Sequence, residues 1–337
     1  MAAMGRYLVF DTKRYDRRSL APEAEAAGVN LKFYDFRLEP ETVEAVHDAT
    51  GVCVFVNDKL PAEVIDGLAD AGVEKILLRC AGFNNVDLLR AYERGIPVVR
   101  VPAYSPYAVA EHAVALLMAV NRKVARAHQR VHELNFSLEG LVGFDLRGKT
   151  VGIVGTGRIG RVTAEILSGF GTEVLVSDPY PNSEWAASHG FTYVDFDTLC
   201  ERSDVISLHT PLTPETTHLV DAAAIKRMKS EVVLINVSRG GLVDAKALVK
   251  ALKKGRIGGV ALDVYEEEEG VFFEDHSNHI LQDDTLARLL TFPNVVITSH
   301  QAFLTNEALA EIARVTIENM RRFDAGEEPL PGTVVEI

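Results

Sequence analysis

The chain alternates short apolar runs with stretches whose apolar residues return every three or four positions. Strand-length runs lie at Tyr7–Phe10, Leu31–Phe36, Val52–Val56, Ile76–Arg79 and Val98–Val101. Near-continuous apolar runs of that length predict strands buried on both faces. Helical periodicity lies between them, as at Ala62–Ala71 after Pro61 and Val86–Arg94 before Gly95, with the opening proline and closing glycine that suit helix ends. This βα alternation predicts a parallel sheet with helices on its faces. Two prolines in Val101-Pro102-Ala103-Tyr104-Ser105-Pro106 then predict a hinge, followed by one long helix from about Tyr107 to Glu133. A second βα series starts at Thr150–Val154 and continues through Val174–Ser177, Val205–His209, Val232–Val237, Val260–Asp263 and Val295–Ser299. A final helix, Asn306 to about Phe323, precedes a Pro/Gly tail, and a second hinge is expected near Ala302–Thr305.

A chain of 337 residues is long enough for two units, each with its own core. Hydrophobic residues make up 47% and charged residues 25%, which fits a globular protein and excludes a disordered one. A net charge of −13 argues against nucleic acid or an anionic membrane as partner. It leaves a small anionic substrate possible, because a few local arginines can dominate a site. Cys53, Cys80 and Cys200 show no CxxC spacing, which suits a reducing cytoplasm better than a disulfide framework. No signal-peptide pattern is seen, since Tyr7–Phe10 stops at Asp11, and the longest apolar run, Ala113–Val120, is too short to span a bilayer.

The most specific motif is Gly155-Thr156-Gly157-Arg158-Ile159-Gly160. It follows the strand Thr150–Val154 and opens a helical stretch, Arg161–Phe170, while Asp178 stands 23 residues past Gly155 at the end of the next apolar run. Together these form a dinucleotide-binding fingerprint. Gly155 allows the tight turn, Gly157 clears space for a pyrophosphate, and Gly160 lets helix pack on strand. The helix N-terminus supplies free N–H groups. Asp178 can accept hydrogen bonds from both adenine-ribose hydroxyls and would repel a 2′-phosphate, so NAD is expected rather than NADP. An ordinary glycine-rich turn would lack this strand, helix and acid in sequence.

Ligands of open α/β sheets bind beyond the carboxyl ends of the strands. The polar residues there are Asp178, His209, Ser238-Arg239, Asp263 and Ser299-His300. Hydride reduction of a 2-oxo acid needs a cation for the carboxylate and a proton donor for the developing alkoxide. Arg239 can supply the first as a bidentate fork, and Gly240-Gly241 after it would leave room for a substrate. His300 can supply the second, although a lone strand-end histidine is as often a structural hydrogen-bonder. One carboxylate of the run Glu266–Glu269 beside His300 would favour its protonated form and fix its tautomer. Spacing does not say which one, and most of the run reads as a solvated loop. The small residues Cys80-Ala81-Gly82 end a strand before a helix, so their N–H groups could cradle a carboxylate. Cys80 has no partner pattern for a nucleophile, and His209 reads as structural or cofactor-adjacent. His276 and His279 have poor spacing for a metal, and none is expected.

With these motifs in view, the chain resembles the D-isomer-specific 2-hydroxyacid dehydrogenases from end to end. The resemblance is carried by Arg79-Cys80-Ala81-Gly82-Phe83-Asn84-Asn85-Val86-Asp87, Tyr104-Ser105-Pro106, Asn135–Gly140, Gly155–Gly160, Ser238-Arg239-Gly240, Asp263-Val264-Tyr265-Glu266 and His300–Thr305. The segment Phe272–Asp284 is similar to the D-lactate branch of the family. The family pattern Asp-x-Tyr-Glu-x-Glu implies Glu268 as the carboxylate that partners His300, with Arg239 binding the substrate. It further implies Tyr104, Phe303 and the Cys80, Ala81 and Gly82 amides as substrate-binding. For NAD it implies Gly155, Gly157, Arg158, Ile159, Gly160, Asp178, His209, Thr210, Pro211, Thr216, Val237, Ser238 and Asp263.

The expected fold is therefore α/β, with two doubly wound parallel-sheet domains and a cleft between them. A flavodoxin-like substrate domain is expected at 1–102 and 304–337, split around a Rossmann NAD domain at 103–303. The expected reaction is reversible reduction of pyruvate to D-lactate in the cytoplasm, by a homodimer or homotetramer without nucleic-acid or membrane partners. A bulkier 2-oxo acid, such as phenylpyruvate or 2-oxobutyrate, is the near alternative. A non-enzymatic NAD(H)-sensing corepressor is the remote one.

Overall fold

The apolar runs of the first hundred residues become β1 (Arg6–Val9), β2 (Asn30–Phe33), β3 (Gly51–Val54), β4 (Lys75–Leu78) and β5 (Val98–Arg100) in a computed structural model, which describes residues 5–336. The strands are all parallel and ordered β2-β1-β3-β4-β5, the flavodoxin-like order. The register pairs Leu8 with Val52 and Val52 with Ile76, which aligns three fully buried side chains across the sheet.

This sheet belongs to a unit made of Met1–Ser105 and Leu304–Ile337; a second unit is Pro106–Phe303. The divisions fall after Ser105 and after Phe303, so Ala103, Tyr104 and Ser105 group with the first sheet. Helix Asn306–Asp324 returns to that sheet because Ala313, Ile317 and Met320 recur at spacings of four and three. They pack into one core with Tyr7, Val9, Leu20, Ala24 and Leu77. Thr305 starts this helix, its Oγ1 accepting from the Ala308 N–H at 3.2 Å. The chain beyond it covers the open edge of β5: the Arg100 N–H donates to Thr333 O at 2.8 Å and the Val335 N–H to Val98 O at 2.9 Å. Covering an edge blocks pairing with foreign strands.

Arg79, one residue past β4, is fully buried. Its Nε donates to Asp16 Oδ1 at 3.2 Å and its Nη2 to Asp11 O at 2.8 Å, and its guanidinium lies over the Phe55 ring at 4.9 Å. A buried charge paired through Nε and Nη2 is costly to disturb, so it fixes the start of the Cys80 loop.

The second unit carries β6 (Thr150–Val154), β7 (Glu173–Ser177), β8 (Thr192–Tyr193), β9 (Val205–Leu208), β10 (Val233–Asn236), β11 (Gly259–Leu262) and β12 (Val295–Ile297). They form one parallel sheet ordered β12-β11-β10-β9-β6-β7-β8. The order reverses between β6 and β9, so the loops after these two strands diverge and open a crevice at the carboxyl edge. Both expected parallel-sheet units are therefore present. The short β8 escapes the hydrophobic pattern because two residues, one of them exposed, carry no periodicity.

One expected element is different. The long helix from about Tyr107 to Glu133 is two helices, Pro106–Asn121 and Val124–His132. Lys123 between them has φ +52°, a left-handed value that ends an α-helix. Asn121 gives the reason, since its side chain accepts from the Phe144 N–H at 2.9 Å and donates to Phe144 O at 2.8 Å. The returning chain thus takes hold where helical pairing stops.

Candidate active site

The glycine loop follows β6, where the Gly155 N–H donates to Ser177 O at 2.8 Å. A Cβ on Gly160 would stand 1.9 Å from Gly155 O and 3.3 Å from the His209 Cβ, so no other residue lets the helix Arg158–Ser168 approach β6 and β9 this closely. The sequence placed that helix at Arg161; it begins a turn earlier, putting Arg158 and Ile159 in its first turn. A Cβ on Gly157, by contrast, would meet nothing within 4 Å, and no side chain caps the helix. Open space before free helix N–H groups suits a pyrophosphate.

Asp178, just past β7, is half-buried. Its Oδ2 accepts from the Thr156 N–H at 2.6 Å and Thr156 Oγ1 at 3.0 Å, and its Oδ1 accepts from the Tyr180 N–H at 2.8 Å. A carboxylate offers about four lone-pair sites, so capacity remains for a ribose hydroxyl. Thr156 Oγ1 is also 2.8 Å from Tyr193 Oη. On the other side of the crevice, burial pushes His209 down to about 3, so it stays neutral, and its Nε2 pairs with Ser207 Oγ at 2.8 Å. Ser238 Oγ donates to Thr210 O at 2.6 Å, and Thr216 Oγ1 to Pro211 O at 2.7 Å. The residues expected at the cofactor thus tie the loops after β9 and β10 together. The glycine loop, the uncapped first turn and Asp178 all fit a dinucleotide.

Arg239 follows β10. Its Nη1 donates to Ser238 O at 2.7 Å, and the Asn236 side chain donates to Arg239 O at 2.8 Å. The glycines behind it do not leave room for a substrate, as the sequence suggested. A Cβ on Gly240 would fall 2.0 Å from the Tyr265 carbonyl carbon. Gly240 instead lets the loop after β11 press against the Arg239 loop.

That loop chooses among the four glutamates. Glu268 Oε2 accepts from the Tyr265 N–H at 3.0 Å, and Glu268 O accepts from the Phe272 N–H at 2.9 Å. The turn so formed leaves Glu268 Oε1 2.8 Å from His300 Nδ1. Glu266 turns away, pairing with His218 at 2.5 Å. With Nδ1 held by a carboxylate, Nε2 is the His300 nitrogen free to exchange a proton with a ligand. The Phe273 ring lies 5.7 Å from the imidazole and the Phe273 N–H donates to Ser299 Oγ at 3.2 Å, so the 272–284 segment begins against His300.

Asp263, expected at the cofactor, is fully buried and its carboxylate accepts from the Gln301 and Ala302 N–H groups at 2.9 and 2.8 Å. It supports the His300 segment from below. Phe303 closes that segment and is buried. Cys80, Ala81, Gly82 and Tyr104 belong to the first unit. There Arg100 Nη1 donates to Ala81 O at 2.7 Å and its guanidinium lies over Phe83 at 5.0 Å, while Cys80 Sγ donates to Gly82 O at 3.3 Å. Three residues escaped the sequence reading: Arg100 beneath the Ala81 loop, Tyr193 beside Thr156, and His112, whose Nε2 is 3.3 Å from Asp263 Oδ1. The signal for His112 was there, as a lone imidazole in the Ala/Val/Leu-rich stretch Ala108–Val120.

Comparison with known proteins agrees with this geometry. Residues 114–302 match the D-isomer specific 2-hydroxyacid dehydrogenase, NAD binding domain. The chain is 50% identical to the D-lactate dehydrogenase of Escherichia coli over 319 residues, covering 95% of this chain and 97% of that one. It superposes on the apo structure of the E. coli D-lactate dehydrogenase with a TM-score of 0.90 at 46% identity, over 98% of this chain and 100% of that one. It superposes on the pyruvate reductase of Chlamydomonas reinhardtii with a TM-score of 0.92 at 44% identity, over 97% and 98% of the two chains. A glycine loop backed by Asp178, a guanidinium and a carboxylate-held imidazole on one sheet edge, and these likenesses identify the chain as an NAD-dependent oxidoreductase that belongs to the D-isomer specific 2-hydroxyacid dehydrogenase family.

Proposed function

We propose that this enzyme reduces pyruvate to D-lactate, reversibly, with His300 as acid and base. The observation that carries the chemistry is the 2.8 Å contact between Glu268 Oε1 and His300 Nδ1 at the carboxyl edge of the sheet that holds the Gly155 loop. The relatives named D-lactate dehydrogenase and pyruvate reductase support the substrate. The Gly155–Gly160 turn, Asp178 and the loops at Thr210–Thr216 and Val237–Ser238 would hold NADH, which would supply the hydride. Arg239 binds the substrate carboxylate through its fork. His300 Nε2 gives its proton to the oxygen that becomes the lactate hydroxyl, and takes it back in oxidation. Glu268 orients the ring and stabilises the imidazolium. Phe303 is a further substrate contact, and the first unit, with Cys80–Gly82 and Tyr104, is the substrate domain.

A kinetic panel tests this reading. With NADH, pyruvate is expected to have the highest kcat/KM among pyruvate, 2-oxobutyrate and phenylpyruvate, and the product is expected to be the D isomer by chiral chromatography. Turnover of none of them, or a preference for phenylpyruvate, would overturn it.

Glu268 carries its own prediction. Glu268→Gln keeps an oxygen that can accept from Nδ1 but loses the charge, so kcat should fall about tenfold. Glu268→Leu loses both, and the fall should reach about 10²- to 10³-fold, within the range of positioned acid–base catalysis. Equal kcat values for Gln, Leu and wild type would remove Glu268 from the mechanism.

We further infer a cytoplasmic homodimer or homotetramer. Cys53, Cys80 and Cys200 are all buried and none is in a disulfide, which suits a reducing compartment. Among the described residues no helix is long and apolar enough to cross a membrane. Leu134, Phe136, Leu138 and Val142 stand exposed within ten residues of one another, and an apolar patch of that kind marks an interaction surface. Light scattering of the same preparation should give a mass of two or four chains, and a monomer mass would exclude the assembly.

A further inference from the structure

Asp263 follows β11 and has no exposed surface. Its carboxylate collects donors from several segments. Oδ1 accepts from Thr298 Oγ1 at 2.5 Å and from the Gln301 N–H at 2.9 Å, and Oδ2 accepts from the Ala302 N–H at 2.8 Å. Its main-chain carbonyl accepts from the His300 N–H at 2.7 Å. Asp263 thus accepts four hydrogen bonds from the segment that carries the acid–base imidazole. That segment needs holding, because His300 has φ +49°, a left-handed value that is costly for a residue with a Cβ. Burial alone would push the Asp263 carboxyl up. The His112 ring, the Thr298 hydroxyl and the Ala302 and Gln301 amides outweigh it and keep the group below the usual carboxylate range.

His112 reaches this carboxylate from the helix Pro106–Asn121, with 18% of its side chain exposed. Its Nε2 is 3.1 Å from Thr298 Oγ1 and 3.3 Å from Asp263 Oδ1. A hydroxyl has one proton to give, and Thr298 gives its proton to Asp263. Thr298 can therefore only accept from His112, so Nε2 must carry a hydrogen. That hydrogen serves the hydroxyl and the carboxylate together.

We propose that His112 is a positioning residue for His300: its Nε2–H completes the donor set around Asp263, and that set holds residues 300–302 in the conformation that presents the His300 ring. The catalytic part of the inference rests on the acid–base role proposed above for His300. His112 touches no substrate in this scheme. Its effect passes through Thr298, Asp263 and the 301–302 amides.

Two substitutions test the chain of contacts. Leu at position 112 keeps an apolar side chain of moderate size but has no donor, while Gln offers an amide N–H. In His112→Leu, a peptide covering residues 298–303 should exchange amide hydrogens roughly tenfold to a hundredfold faster, as expected when a buried carboxylate loses a donor. The kcat for pyruvate reduction should fall by at least about tenfold while the Kd for NADH stays within about threefold. His112→Gln should restore most of both. Unchanged exchange in His112→Leu, or equal exchange in the Leu and Gln variants, would overturn the proposal. If His112→Leu does not fold, Thr298→Val removes the acceptor of the same hydrogen bond and should give the same faster exchange; unchanged exchange there would also overturn it. A wild-type enzyme inactive on pyruvate would refute the proposed function, and the exchange data would still decide whether His112 holds the segment.

Discussion

His300→Gln is expected to lower pyruvate reduction by about 10³-fold, a loss of about 4 kcal/mol of transition-state stabilisation. Glutamine can occupy the space and can donate a hydrogen bond, but it cannot release a proton to a developing alkoxide. The effect should appear in kcat and kcat/KM alike, which marks an interaction made in the transition state. NADH binding, followed by nicotinamide fluorescence, should be unchanged, because the glycine loop and Asp178 lie after β6 and β7 and share no hydrogen bond with His300. Near-normal turnover would remove His300 from the acid–base role. A parallel loss of NADH affinity would instead mean that the substitution had disturbed the sheet edge.

Arg239→Lys should lower kcat/KM for pyruvate by about 10²- to 10³-fold, with positive charge conserved. The loss comes from geometry. A guanidinium presents parallel N–H groups that match a carboxylate, whereas an ammonium is a point charge with mobile donors. Arg239 is also set in place by its own loop, through Nη1 to Ser238 O at 2.7 Å and the Asn236 side chain to Arg239 O at 2.8 Å. The second of these bonds involves only the main chain of residue 239, so it survives the substitution and the loop should keep its shape. Steady-state kinetics should then show a raised KM for pyruvate together with a lower kcat, and an unaltered KM for NADH. A KM for pyruvate unchanged from wild type would place the carboxylate elsewhere.

Most of the parallel strands were legible because they are short, largely apolar runs, which a sheet covered on both faces tolerates; β2, with Lys32 inside it, and the two-residue β8 are the exceptions. The strand ends were legible too: Asp178, Arg239 and His300 are the first ionisable residues after such runs. The helix break at Lys123 was not legible. Nothing in Val120-Asn121-Arg122-Lys123 forbids a helix, and the competing partner, Phe144, lies 23 residues from Asn121.

Two series of apolar runs and a dinucleotide loop were readable from the residues alone. The family pattern named Glu268, where residue chemistry alone left four glutamates equal. Tertiary structure decided the rest. Gly240 admits the Tyr265 backbone, the turn at Tyr265–Glu268 aims one carboxylate, and His300 Nδ1 receives it at 2.8 Å. It also joined His112 to Thr298 across 186 residues of chain. A hydrogen bond depends on distance and angle in space, and local periodicity reports only which face of an element is apolar. Partnerships between distant loops therefore become visible only when the sheet has brought their strand ends to one edge.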